Sequence, residues 1–377
     1  MHPMVKPALR RAWRNRNTVQ FGVTPARAVV VSPVDTATGS FLGLLDGTRG
    51  LPLLYEEARA VDLSPGQVDA MVERLTKAGV LDDPTAGGPA ADALRERTDT
   101  FDRTRADLAS LSLVHREPGG GARRLGARRS LRVQVRGAGR VGATIASLLA
   151  ASGVGRVEVL DGGTVQPWDV APGALPKEAV GERRAPAARR LVRSAAPGRP
   201  PRADEHAEPP GLSLIVVAPR DGLEVYAPDP TTAEEWLAAG IPHLYAGVVE
   251  TTGLVGPLVL PGGTGCAGCL ALTRTEHDPG WPRMLAQWRS GRREGAVPAC
   301  DVALATAVGG LAAAHALAFL DGDLPASTGT RWETSLPLLG WRPEPVGARL
   351  DCSCGAGGNT EGEDASGGEQ PQDTMAR

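Results

Sequence analysis

Two sets of residues have the types and spacing that chemistry could use. Cys266-Ala267-Gly268-Cys269 and Cys352-Ser353-Cys354 are short chelating turns far apart in the chain, and together they offer four thiolates. Four thiolates suit a tetrahedral Zn2+ with no open position, so such a site is structural; four free thiols are the alternative. The second set is Gly137, Gly139 and Gly142, followed about 20 positions later by Asp161. Gly137 suits a tight turn, Gly139 lets the main chain approach a pyrophosphate, and Gly142 allows close packing of helix on strand. Asp161, at the end of a strand, is placed to accept ribose hydroxyls. Cys300 stands alone with no histidine beside it in sequence, which favours a small buried side chain over a nucleophile. His315, on an apolar helix, reads as a core histidine.

The elements around these residues follow from periodicity. Val133 onward is a buried strand, the helix from Arg140 buries Val141, Ile145, Leu148 and Leu149, and Arg156 to Leu160 is the next strand. Residues 178–194 and 231–239 are predicted helices, 212–217 a fully apolar strand, and 244–249 with 254–260 a strand pair. Residues 303–320 form an apolar, buried helix. Upstream, 18–22 and 28–34 read as strands and 42–45, 51–60 and 67–78 as helices. The last opens on a capping box, Ser64-Pro65-Gly66-Gln67. This is a winged-helix-like module. Its last helix sets Arg74 and Lys77 against Asp69 and Glu73, which suits peptide docking better than DNA phosphates. Residues 91–111 are a predicted helix and Pro118 to Ala122 a loop; from 355 the chain has almost nothing to bury and is predicted disordered.

Composition narrows the class. Net charge is −2 over 377 residues, which argues against bulk attraction to nucleic acid or a membrane surface. Of the 41 basic residues 38 are arginine, so paired arginines read as solvated surface. There is no apolar leader at the start, and the expected location is the cytoplasm.

From about Arg105 to Cys354 the order of glycine turn, Asp161, apolar strand, GPLVLPGGTGCAGCL, Cys300-Asp301 before a helix and a final cysteine pair resembles the ThiF/MoeB family, bacterial relatives of ubiquitin-activating enzymes. The resemblance implies an α/β, Rossmann-like doubly wound sheet, binding of ATP and Mg2+, a structural Zn2+, a homodimer, and adenylation of the C-terminal carboxylate of a ubiquitin-like carrier protein or peptide. The expected organisation is a basic segment at 1–17, the winged-helix-like module at 18–83, a linker and helix at 84–104, the ThiF/MoeB-like domain at 105–354 and a tail at 355–377.

Carried over by position, Gly137, Gly139, Gly142 and Asp161 match the family, and the departures fall on the chemistry. A family glycine is Arg140 here, a second acid is Gly163, and an asparagine and an arginine that touch ATP are Asp169 and Pro172. The phosphate-binding lysine is Arg184, a planar fork rather than a compact ammonium. The aspartate that helps to hold magnesium falls on Arg220, with Asp221 next to it, and an arginine from a partner subunit aligns with Arg103 or Arg105. The leading expectation is therefore an ATP-dependent adenylyltransferase with Asp161 on the ribose and Arg140, Arg184 and Asp221 around the phosphates. The second is a degenerate member whose N-terminal module binds a leader peptide for a partner modifying enzyme, an arrangement that resembles azoline-forming systems. A nicotinamide-dependent oxidoreductase is a third reading and leaves the four cysteines unexplained.

Overall fold

The computed structural model describes residues 1–199, 211–291 and 296–359, so the tail expected to be disordered lies, from 360 on, outside the described residues. The chain divides into two compact units. The first comprises Met1–Ser130 with Ser152–Gly155 and residues 196–199. Its strands are β1 (Met4–Val5), β2 (Arg11–Asn15), β3 (Thr18–Phe21), β4 (Val29–Val31) and β5 (Leu81–Asp82). β2, β3 and β4 form an antiparallel sheet in that order, and β1 pairs with β5. Helices α1 (Thr36–Phe41), α2 (Leu51–Arg59) and α3 (Pro65–Lys77) pack Phe41, Leu54, Val68 and Leu75 onto Val19 and Phe21. The capping box of α3 is formed: Gln67 N–H donates to Ser64 Oγ, and Ser64 N–H donates to Gln67 Oε1.

Four local expectations differ from the structure. Residues 1–17, read as a basic segment, contain β1 and β2; every residue of β2 is exposed, so an edge strand carries no alternation to read. Leu42–Leu45 is not helical; α1 precedes it. Residues 91–111 break into α4 (Pro89–Arg95), α5 (Thr98–Arg103) and α6 (Arg105–Val114), and the expected loop at 118–122 runs into α7 (Gly120–Ala127). The glycines of α7 serve packing. A Cβ on Gly121 would meet Ser112 N at 2.7 Å and one on Gly126 would meet the Ala90 main chain at 2.6 Å.

The second unit is built on one seven-stranded sheet: β6 (Arg132–Arg136), β7 (Arg156–Leu160), β8 (Leu214–Val217), β9 (His243–Val249), β10 (Thr252–Val259), β11 (Thr330–Ser335) and β12 (Arg342–Pro345). The order is β12-β11-β10-β9-β8-β6-β7; the four from β7 to β9 run parallel and the rest add antiparallel. Helices in chain order are α8 (Arg140–Ala151), α9 (Arg184–Ala195), α10 (Leu223–Tyr226), α11 (Glu234–Ala238), α12 (Ala267–His277), α13 (Trp281–Ser290) and α14 (Val302–Leu320). They cover both faces. Gly253 of β10 faces Leu304 and Val308 of α14, whereas Gly247 of β9 faces Val225 of α10. α14 is long and apolar enough to cross a membrane, but it buries Leu304, Val308, Ala312 and Ala316, and its Gly309 seats Thr144 of α8. The glycine turn thus sits at the carboxyl end of a parallel strand, beside the crossover to the neighbouring strand, where ligands of open α/β sheets bind.

Candidate functional site

The turn after β6 is required by packing. Gly137 has φ +112, and a Cβ there would lie 2.0 Å from Ala218 O. A Cβ on Gly142 would lie 2.2 Å from Gly137 O, so the start of α8 rests directly on the turn. Asp161, just past β7, is side-chain buried and holds three donors. Its Oδ2 accepts from Ala138 N–H at 2.8 Å, and its Oδ1 accepts from Gly163 N–H at 2.8 Å and from Arg184 Nε at 2.9 Å. One amide of the glycine turn is therefore satisfied by the carboxylate expected to meet a ribose.

Arg184 is consumed within the same group. Besides Asp161 it donates to Thr164 O at 3.0 Å and to Asp169 Oδ2 at 3.5 Å. Its guanidinium covers Gly163, where a Cβ would lie 2.2 Å from Arg184 Nη2. The glycine that stands where the family has an acid is thus the space that Arg184 fills. Asp169 in turn receives Arg220 Nε on Oδ1 at 2.7 Å and Gln166 N–H on Oδ2 at 2.9 Å. Its side chain is 3% exposed. Asp161, Arg184, Asp169 and Arg220 form one chain of alternating charge, and the position that aligns with the magnesium aspartate is the arginine at its end. Neither carboxylate is left to bind a metal ion, so the residues present do not fit Mg2+.

A cavity of about 180 Å³ adjoins this chain, lined among others by Gly139, Arg140, Trp168, Asp169, Arg220 and Cys300. Arg140 Nη1 donates to Cys300 O at 2.7 Å. Burial pushes the Cys300 thiol up to about 11, so it is protonated at neutral pH, as a packing cysteine should be. Asp221, one residue past Arg220, is bonded locally. Its Oδ1 accepts from Leu223 N–H at 3.0 Å, and it lines a separate cavity of about 430 Å³ with Trp236 and Tyr245. Arg105 lies in the first unit at the start of α6, 70% exposed and 3.6 Å from Asp102. Sequence reading missed the roles of Asp169 and Trp168, and the neighbouring departures at Asp169 and Arg220 were the available signal. His315 is half-buried on α14, and burial pushes its pKa down, which favours the neutral ring.

The four cysteines come together. Cys266 caps α12 and Cys269 lies in its first turn; the sulfurs are separated by 3.6 Å (Cys266–Cys352), 3.6 Å (Cys269–Cys354) and 3.9 Å (Cys266–Cys269), and all lie within 4.8 Å of one another. Tetrahedral Zn–S bonds of about 2.3 Å require S–S separations of about 3.8 Å. The cluster fits structural zinc. Gly268 makes the approach possible, since a Cβ there would lie 3.0 Å from Cys352 Sγ. Ion pairs from Arg349 to Glu276 and Asp351 fasten the second cysteine turn to α12.

The ThiF family matches residues 118–356, more than half of the chain, and the chain belongs to that family. Among solved structures it is similar to E. coli MccB determined with ATP, at 15% identity and TM-score 0.66, covering 94% of this chain and 99% of that one. The microcin C7 biosynthetic enzyme MccB in complex with N-formylated MccA matches at 15% identity and TM-score 0.64, covering 94% and 100%. The heterocyclase TruD matches at 16% identity and TM-score 0.60 over 95% of this chain, which spans 43% of TruD. A comparison with curated proteins gives no match. At these identities the likeness is one of fold.

Proposed function

We propose that the protein serves the ATP-dependent modification of a peptide, and that its part is to bind and present the peptide to a partner enzyme rather than to adenylate it. The observation that carries this reading is the Arg220–Asp169 ion pair, which occupies the region where the family resemblance calls for a magnesium carboxylate. Adenylation depends on holding phosphates and metal in place, since charge neutralisation supplies most of such catalysis. Solved relatives in fold include MccB with the MccA peptide and the heterocyclase TruD, which supports a peptide as the partner.

The winged-helix-like first unit offers a docking edge. No Asp or Glu precedes Asp35, while Arg10, Arg11, Arg14 and Arg16 lie on or beside the exposed edge strand β2. An extended acidic peptide could add to that edge through main-chain hydrogen bonds and ion pairs. A second reading, adenylation of a peptide or ubiquitin-like carrier protein, is favoured by the intact glycine turn and by Arg140 and Arg184. Calorimetry with ATP, with and without Mg2+, and ATP–pyrophosphate exchange separate the two. No binding and no exchange are expected; Mg2+-dependent binding with exchange would overturn the presenting role. Fluorescence anisotropy of a labelled acidic peptide should show binding that Arg11→Glu with Arg14→Glu abolishes.

A further inference from the structure

The cysteine cluster is guarded unevenly. Cys266 and Cys269 are 2% and 0% exposed, whereas Cys352 and Cys354 are partly exposed on the second turn. The facing sulfurs lie across the two turns: Cys352 is 3.6 Å from Cys266 and Cys354 is 3.6 Å from Cys269, against 3.9 Å within the first turn. A bond between Cys352 and Cys354 would close a ring around Ser353 alone, which departs from the geometry that a disulfide prefers. The second turn also has holds other than metal ligands. Arg349 pairs with Glu276 of α12 and with Asp351, and Cys352 and Cys354 pack against Val225, Tyr245 and Leu254. The sulfurs therefore stay opposed when an ion leaves. Cys300, the fifth cysteine, is outside the cluster. Burial holds its thiol protonated at neutral pH, and a protonated thiol reacts slowly with peroxide.

We propose that the cluster is a redox-sensitive clip: peroxide expels the zinc and joins the two turns by disulfides, Cys266 to Cys352 and Cys269 to Cys354. A partly exposed thiolate, Cys352 or Cys354, attacks peroxide, becomes a sulfenic acid and releases hydroxide. The facing thiolate then attacks that sulfur and expels a second hydroxide as the S–S bond forms. Each disulfide gives two electrons to one peroxide, so two peroxides oxidise all four thiolates and leave no ligand for the ion. Closing 3.6 Å to a bond of about 2.05 Å needs a movement of about 1.5 Å, which the partly exposed turn supplies. The cross-link from the second turn to α12 thus outlasts the metal. The clip acts in the same way whether the protein presents a peptide or adenylates it.

The test starts from the full chain as purified, treated with hydrogen peroxide beside a chelating dye that reports released zinc, then digested with trypsin without reduction. We expect about one zinc per chain to be released as four of the five thiols disappear, with Cys300 still open to alkylation after unfolding. The peptides that carry the two turns should be recovered joined, lighter than their sum by the hydrogen of each thiol. Cys354→Ser should keep one link, Cys266 to Cys352, and dithiothreitol with zinc should restore the wild-type thiols and metal. The oxidised chain should unfold about 5–10 °C above the reduced chain stripped with EDTA, because the disulfides close the loop that the zinc closed. Zinc that peroxide does not release, or a chain purified without zinc, would overturn the proposal. So would peptides recovered unlinked, with Cys266 joined to Cys269 or with sulfinic acids, and so would an oxidised chain no more stable than the stripped one. None of these outcomes bears on the presenting role, which the ATP calorimetry tests separately.

Discussion

Replacing Arg220 by Met tests whether the charge chain is a structural substitute for a metal site. Arg220 Nε lies 2.7 Å from Asp169 Oδ1, and the Asp169 side chain is 3% exposed against 23% for Arg220. Removing one partner of a buried pair costs about 3–5 kcal/mol when the remaining charge is uncompensated. Asp169 would keep Gln166 N–H at 2.9 Å and Arg184 at 3.5 Å, and Arg220 is itself partly solvated. The expected cost is therefore about 2–3 kcal/mol, below the uncompensated case. Adding Asp169→Asn removes the stranded charge, and Arg184 remains paired with Asp161 at 2.9 Å, so the double variant should lie within about 1 kcal/mol of wild type. Guanidinium titrations at constant m-value measure both. A cost below about 0.5 kcal/mol for Arg220→Met, or a double variant whose cost is the sum of the two single ones, would refute the reasoning. The same positions carry a functional corollary. Asp169→Asn with Arg220→Asp restores two of the family's positions, and calorimetry should then show Mg2+-dependent ATP binding where none is expected of the wild type.

Three further outcomes follow. Metal analysis should give about one zinc per chain, and Cys352→Ser should release it and lower Tm by about 5–10 °C; a metal-free protein of unchanged Tm would remove the zinc site. His243 is fully buried between Trp236 and Tyr245, and desolvation pushes its pKa down to about 4. Between about pH 6.5 and 4 the unfolded chain binds a proton that the native state refuses, so stability falls as pH drops through that window, by about 3 kcal/mol in full. His243→Phe should flatten the slope in denaturant titrations across that range, and an unchanged slope would assign it to other groups. The outer side of α14 sets Ala303, Ala307, Gly310, Leu311 and Ala314 at the surface or half-buried. We expect it to meet a second copy, so sedimentation should find a dimer that Ala307→Arg dissociates, and a wild-type monomer at tens of micromolar would oppose this.

The βαβ unit, the α3 cap and the cysteine cluster were legible because each rests on local pattern: hydrophobic period, a side chain bonding three residues away, or ligand spacing. What was not legible depends on contacts across the sheet. Nothing local distinguishes Arg220 from Asp221, yet the first turns to Asp169, 51 residues earlier, and the second bonds two residues on to open α10. β2 was invisible for the opposite reason, since both its faces are exposed. The glycines of 119–121 were read as a loop because composition does not reveal whether glycine is there for flexibility or for room, and here the Gly121 main chain lies against α6.

The same distinction governs the glycine turn itself. Gly137 and Gly142 are fixed by backbone angle and by main-chain atoms 2.0 and 2.2 Å from where a Cβ would be, so packing retains them whether or not a nucleotide binds. Their presence therefore argues for the fold and not for ATP. Gly139 differs: its nearest neighbour would be the flexible Arg220 Cγ at 3.3 Å. Gly139→Ala should cost less than about 1 kcal/mol, whereas Gly142→Ala should cost several, because only a helix shift relieves it. If Gly139→Ala proves as damaging as Gly142→Ala in denaturant titrations, the Arg220 side chain is held far more rigidly than its contacts imply. The charge chain would then be a fixed lid over the turn rather than a pair that two substitutions can undo, and the Asp169→Asn with Arg220→Asp variant should fail to recover ATP.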